Sequence, residues 1–320
     1  MVIAKRILGR LGNQMFQYAY CRAIKEKTGG SLAFNFDKVY QQKELNKNEV
    51  GFEDSLQYFN VDNYDTFTGN EIDYYGNFVQ VLIYRIFQVI GHILFPNQTC
   101  YNLYRHLGLF FYCDAHQDFY KDIALIKKKS IFHKLVICYD YLESPSFFND
   151  IRPILLHDFT PKQPPLEYNK KLYDIIESHN SVCVSIRRGD YLNPKYADRF
   201  FICDETYIAN AIEKIKQLIK DPVLIFFSDD IKWVEENIKT ELPSYYESGN
   251  DPIWEKLRLM YSCKHFIISN STFSWWAQYL SRNDKKIVVS PDHWFKDSSP
   301  DNHHLISYNF ITIPCNILSK

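Results

Sequence analysis

The sequence predicts an α/β protein built on parallel β-sheets. Three observations carry this. The first 36 residues spell an apolar run, a glycine turn, a helical face and a second apolar run, which is one β-α-β unit. From residue 181 onward, short β-branched runs alternate with amphipathic segments. The chain has 320 residues, enough for two ordinary domains.

The elements follow in order. Residues 2–8 read as a strand and 9–12 as its turn. Residues 13–27 read as a helix with Met15, Phe16, Ala19, Tyr20, Ala23 and Ile24 on one face, stopped by Thr28, Gly29 and Gly30. In "SLAFNF" Leu32, Phe34 and Phe36 alternate as in a strand. Residues 40–150, rich in Tyr, Phe and Asn, read as mixed and mostly helical. "RPILLHDFTPKQPPLEY", with three prolines at 161–165, is the best linker candidate. Beyond it, "SVCVSI", "VLIFF", "HFIIS" and "KIVVS" read as strands. Helices stand between them: one capped by Asp204 and running to Lys220, one capped by Ser228 and running to Asn237, then 255–263 and 274–280. Such a doubly wound domain binds ligands beyond the carboxyl ends of its strands.

Composition removes several function classes. Apolar residues make up 46% of the chain and aromatics 17%, which argues against disorder. The formal net charge of −1 offers no basic surface for nucleic acid. Eight scattered cysteines form no C-x-x-C pair and read as free thiols of a reducing compartment. The first residues lack the pattern of a signal peptide. "FVQVLIYRIFQVIGHILF", residues 78–95, is interrupted by Gln80, Arg85, Gln88 and His92, so it reads as a buried or amphipathic helix rather than a membrane span; a peripheral membrane contact is the second reading.

Three polar clusters follow three strands of the second half. In "RRGDY" two arginines stand at a strand end, where a guanidinium can grip a diphosphate through two parallel bonds. Successive strand residues point oppositely, which assigns Arg187 to phosphate and Arg188 to a nearby carboxylate; a structural ion pair with Asp190 is the competing reading. In "FFSDD", Asp229 suits a ribose or base edge, while helix capping and metal binding are alternatives. In "SNSTFSWWAQYL", Asn270 and the hydroxyls of Ser269, Ser271, Thr272 and Ser274 surround a helix start. Backbone N–H groups there favour phosphate, and Trp275 and Trp276 anchor the helix. Simple hydroxyl capping is the plainer alternative.

Together "GRLGNQMFQYA", "VSIRRGDYLNP", "FFSDDIKWVEENI", "LMYSCKHFIISNSTFSWWAQYLS" and "PDHWF" resemble glycosyltransferase family 11, the α-1,2-fucosyltransferases, especially the bacterial type. The resemblance covers both ends of the chain, and the middle segment "FYCDAHQDFYKDI" fits loosely. Each motif is weak alone; the ordered set is specific. The resemblance implies a GT-B fold of two Rossmann-like domains facing across a cleft, with 1–158 as the acceptor side and 159–320 as the GDP-fucose-binding side. It implies GDP-β-L-fucose as donor, inversion at the anomeric carbon, the 2-hydroxyl of a terminal galactose as acceptor, and no required metal. Arg187 would then take the β-phosphate and Asp229 the guanine or ribose. Ser271, Thr272, Phe273 and Ser274, with Asn270 beside them, would line the diphosphate and fucose pocket.

"GRLGNQ" resembles a family motif facing the donor from the N-terminal domain, so it needs no G-x-G-x-x-G pattern. Arg10 and Asn13 would offer donors to the diphosphate or sugar; helix capping by Asn13 is the alternative. Two positions depart from the family. Ser185 stands where a nucleotide-touching His is usual, which alters or weakens base contacts from that donor-side position. Lys256, beside Glu255, stands where an acid is usual. Asp37 and Asp190 are the candidates for the base that deprotonates the acceptor. Rival readings are a GDP-sugar transferase of another linkage, differing within 40–150, and a catalytically silent sugar-nucleotide or glycan binder. A nicotinamide oxidoreductase is disfavoured by the lack of G-x-G-x-x-G after any strand. The expected location is the cytoplasm, with the inner membrane face as its periphery.

Overall fold

The computed structural model describes residues 1–46, 50–91, 97–114, 118–194, 199–296 and 304–315. The chain divides into two compact units, one of residues 1–57 and 61–158, the other of 58–60 and 159–320. Each is a parallel sheet with helices, the two α/β units that a GT-B chain contains.

In the first unit the elements are β1 (Val2–Arg6), α1 (Leu11–Thr28), β2 (Ser31–Asn35), α2 (Asp37–Leu45), β3 (Tyr64–Thr66), α3 (Glu71–Tyr75), α4 (Phe78–Ile86), α5 (Asn97–His106), β4 (Leu109–Tyr112), α6 (Ile123–Lys127), β5 (Leu135–Cys138) and α7 (Arg152–Asp158). The described strands pair in the order β3-β2-β1-β5-β4, all parallel. α1 ends at Gly29, whose left-handed φ of 78° lets its N–H bond the Lys25 carbonyl; Lys25 and Lys27 in the last turn suit the helix dipole. The helix is buried on nearly every side from Leu11 to Ile24, wider than the single face legible in its sequence.

Residues 40–150 are mixed, with helical segments prevailing as expected, and they also contribute β3, β4 and β5, three of the five strands of this sheet. Those strands have three or four residues each, too few to show a period. The segment read as one helix from residue 78 is α4 continued by a π-turn, Phe87–Gly91; its residues 92–95 lie outside the described residues, as do 115–117 of the loosely matching middle segment. α4 turns Val81 and Tyr84, and Phe87 just beyond it, toward the core, but its apolar residues exceed that face. Phe78, Leu82 and Ile86 face solvent, while Gln80 is buried, its amide donating to the carbonyls of Leu107 and His133, both at 2.7 Å. The proposed linker is partly helical, since Arg152–Asp158 forms α7.

In the second unit the elements are α8 (Lys170–Ser178), β6 (Asn180–Ile186), α9 (Glu205–Leu218), β7 (Pro222–Ser228), α10 (Ile231–Asn237), β8 (Ser244–Tyr246), α11 (Ile253–Ser262), β9 (His265–Ile267), α12 (Thr272–Leu280), β10 (Val288–Pro291) and β11 (Ile311–Ile313). The sheet order is β11-β10-β9-β6-β7-β8, again parallel throughout. β6 and β7 are buried on both faces, which is why they read as unbroken apolar runs. Edge strands β8 and β11 escape the sequence pattern because each has only three residues, none of them buried. Asp204 caps α9 through the Tyr207 N–H, as expected, but α10 is capped by Asp230, not Ser228; the Ser228 hydroxyl accepts the Asp230 N–H one step earlier.

The seven cysteines with described side chains are free thiols. Six of them meet in pairs: Cys21 with Cys138, Cys183 with Cys263, and Cys203 with Cys315.

Candidate active site

In the second unit the strand order runs outward from β6 on one side and from β9 on the other. Between β6 and β9 the winding reverses, and a doubly wound sheet opens its ligand crevice beside such a reversal, at the carboxyl ends of the strands. The loops after β6, β7 and β9 carry the three polar clusters.

β6 ends at Ile186 and delivers Arg187. Its guanidinium meets Asp190 Oδ1 at 2.6 Å and Asp229 Oδ2 at 2.9 Å, the second acid coming from the end of β7. Burial lowers its proton affinity, but the carboxylates of Asp229 and Asp190 more than offset this and hold its pKa above the ordinary arginine value. The other oxygen of Asp229 accepts the Arg188 N–H at 2.9 Å. Gly189 makes this approach possible, since a Cβ there would lie 2.5 Å from Asp229 Oδ2. The structural ion pair with Asp190 is therefore present, with Asp229 as a second partner. Arg188 lays its guanidinium over Trp233, 3.4 Å from the ring centroid, and comes within 3.9 Å of Asp230.

β9 leads into the third cluster. Ser269, Ser274 and Ser185 are buried, and their hydroxyls form a line: Ser185 Oγ to Ser274 Oγ at 2.6 Å, Ser274 Oγ to Ser269 Oγ at 3.1 Å. This line ties the end of β6 to the first turn of α12 across the reversal. Ser185 thus spends its hydroxyl on Ser274. Asn270 is also turned inward. Its amide donates to the carbonyls of Phe201 and Trp294 at 3.2 and 3.1 Å, and its backbone carbonyl accepts the Tyr191 hydroxyl at 2.8 Å. It shapes the loop from within. Ser271, Thr272 and Phe273 remain half-exposed at the start of α12, where backbone N–H groups exceed intrahelical acceptors. Trp275 and Trp276 fix the helix in the core, Trp275 donating to the Leu305 carbonyl and Trp276 packing edge-on against Phe159.

Lys256 reaches the same end of the sheet, 2.7 Å from buried Glu247 and 3.3 Å from the Ser228 carbonyl that precedes Asp229. Glu255, fully buried, accepts the Leu166 N–H and pairs with Arg258, so it holds the 163–169 segment.

In the first unit the turn after β1 is built by two amides that sequence reasoning passed over. Gln17 accepts the Leu8 N–H and donates to the carbonyls of Leu8 and Asn13; Gln14 donates to the carbonyls of Gly9 and Glu53 and accepts the Ser55 N–H. Their spacing on a buried helix face was the available signal. Arg10 is the N-cap of α1 without a side-chain cap bond, and its guanidinium lies 4.7 Å from the Phe52 ring centroid. Asn13 lies inside the first turn, so it does not cap the helix; it packs against Gly9, whose φ of +71° and lack of Cβ leave room for it. Asp37 opens α2, and its Oδ2 accepts from Asn35 Nδ2 and the Gly69 N–H, both at 3.1 Å.

The glycosyl transferase family 11 model matches residues 110–311. The chain is 29% identical over 302 residues to an alpha-1,2-colitosyltransferase of Escherichia coli, covering 92% of this chain and 93% of that one. It is 29% identical over 150 residues to galactoside alpha-(1,2)-fucosyltransferase 2 of Mus musculus, 43% of each chain. Among solved structures, NodZ alpha-1,6-fucosyltransferase soaked with GDP-fucose aligns over 91% of this chain and 94% of its own, at 12% identity and a TM-score of 0.49. With the family model spanning well over half of its residues, the chain belongs to glycosyl transferase family 11.

Proposed function

We propose that this glycosyltransferase moves L-fucose from GDP-β-L-fucose to the 2-hydroxyl of a terminal galactose, with inversion and without a metal. The observation that carries the reading is the pairing of Arg187 with the α12 start at two strand ends flanking the sheet's reversal. A departing GDP gathers charge on its β-phosphate. A two-pronged guanidinium and a helix N-terminus are preorganised to take that charge. Arg187 holds the β-phosphate, Ser271, Thr272 and Phe273 line the diphosphate and sugar, and Asp229 orients Arg187 while keeping lone pairs for the ribose or base. Arg10 and Asn13 offer donors to the diphosphate or sugar, and the first unit takes the acceptor. The acceptor proton goes to Asp190 or Asp37.

The α-1,2 linkage in the names of both the Escherichia coli and the mouse relatives supports the linkage assigned here. The bacterial relative also favours a second reading, in which the same site transfers colitose. We place the enzyme in the cytoplasm, with the solvent-facing apolar side of α4 touching the inner membrane face; no described helix is long and apolar enough to cross a membrane. The test is transfer from GDP-fucose and GDP-colitose to galactose-terminated sugars in EDTA, with linkage read by NMR. An α-1,2-fucosyl product supports the first reading. Transfer of colitose alone supports the second, and absence of any transfer with any GDP-sugar refutes both.

A further inference from the structure

The amino edge of the first sheet carries an exposed surface of two kinds, apolar and basic. α4 starts there: Gln80 donates to the carbonyls of Leu107 and His133, which stand just before β4 and β5. Ligands of such a sheet bind at the opposite, carboxyl edge. Two residues before Gln80, Phe78 is 80% exposed, and it heads a stripe of solvent-facing apolar side chains that runs through Leu82 and Ile86 to Val89. Two residues before His133, Ile131 is 94% exposed. Between α6 and β5, Lys134 turns its ammonium back onto the carbonyls of Leu125, Ile126 and Lys128, which folds the connection into a closed turn. That turn presents Lys127, Lys128 and Lys129 to solvent, and among the described residues no carboxylate pairs with them. Residues 78–91 and 125–134 contain no Asp or Glu.

Single exposed apolar side chains are ordinary, but a continuous stripe beside a run of cations calls for a partner. A second copy of this chain suits it poorly. A two-fold interface sets the patch against itself and would press lysine on lysine, with no acid in either segment to answer. A lipid surface answers both features, since acyl chains take the apolar side chains and headgroup phosphates take the ammonium groups. We infer that this edge docks on a membrane rich in anionic lipid, with Phe78 and Ile131 entering the boundary between headgroups and acyl chains and Lys127, Lys128 and Lys129 held at the phosphates. The inference rests on the proposed contact of α4 with a membrane and deepens it; the basic turn and the charge of the lipid are what it adds. Docking at the amino edge leaves the carboxyl ends of the same sheet uncovered.

The test is co-sedimentation of the whole chain with vesicles of phosphatidylcholine alone and of phosphatidylcholine mixed with phosphatidylglycerol, at low and at raised salt. Binding to the mixed vesicles should be tighter by on the order of a hundredfold, and raised salt should weaken that preference. The triple variant Lys127→Gln, Lys128→Gln, Lys129→Gln should erase it, at about fivefold for each lysine. Phe78→Ser with Ile131→Ser should weaken binding to both kinds of vesicle. Neither variant should lower the melting temperature, because these side chains lie in solvent. Equal binding to both vesicles, untouched by the triple variant, overturns the anionic docking and leaves the α4 contact standing. Binding to neither overturns both. A dimer in vesicle-free solution that Phe78→Ser with Ile131→Ser dissociates gives the surface to a second copy and also overturns the inference.

Discussion

Lys5 occupies the central strand of the first sheet with no solvent exposure, and its ammonium donates to the Arg6 carbonyl at 2.5 Å. Burial pushes its pKa down from 10.5 to about 8, despite the opposing pull of Cys21, Cys138, Asp140 and Glu71. A drop of that size is a folding penalty on the order of 3 kcal/mol while the group is charged. The folded pKa lies below the unfolded one, so the unfolded chain binds more protons between pH 8 and 10.5. The penalty is therefore fully present below pH 8 and lifts as pH rises through that window. Lys5→Met fills similar volume without charge. Glu71 keeps its bond to Arg6 at 3.1 Å, so no acid is stranded. Allowing about 1 kcal/mol for the lost hydrogen bond, the variant should be about 2 kcal/mol more stable at pH 7. Urea unfolding of both proteins from pH 6.5 to 10 reads this directly. The gain should shrink toward zero or reverse near pH 10. A variant destabilised at pH 7, or a difference that ignores pH, would falsify the argument that burial of the ammonium sets the cost.

Other perturbations test the turn, the site and the thiols. Gln17→Ala leaves the Leu8 N–H and carbonyl without their partner and should cost about 2–3 kcal/mol of stability; a loss under about 0.5 kcal/mol in thermal denaturation would show that water replaces the amide. Gly189→Ala drives a Cβ into the Asp229 carboxylate, so GDP affinity should fall at least roughly tenfold with little change in melting temperature, and unchanged affinity would mean that Asp229 does not orient Arg187. EDTA should leave transfer rates within about twofold if, as proposed, Arg187 and the α12 start supply the charge; a collapse reversed by manganese would reject the metal-free mechanism. Burial raises the thiol pKa of Cys138 and of Cys183, so iodoacetamide at pH 7.5 should label half-exposed Cys113 well before either; faster labelling of Cys138 would contradict the packing around it.

The sequence by itself determined the parallel α/β class, the run of buried strands in the second half and the positions of three polar clusters after them. These signals are local. A strand buried on both faces reads as an apolar run, and a helix turn as a spacing of three or four. β3, β4 and β5 were illegible because three- or four-residue strands carry no period and owe their existence to pairing with β1, β2 and one another. Tertiary structure alone decided what each polar group does. The Arg188 N–H finds Asp229 41 residues away, and Ser185 finds Ser274 89 residues away, separations that no spacing rule reaches. Asn270, read as part of the donor pocket, and Gln80, read as a break in an apolar run, both turn inward because buried carbonyls there need donors. Local chemistry placed the polar groups at the strand ends; the assembled sheet chose their partners, because charge and hydrogen bonds are satisfied in space and not along the chain.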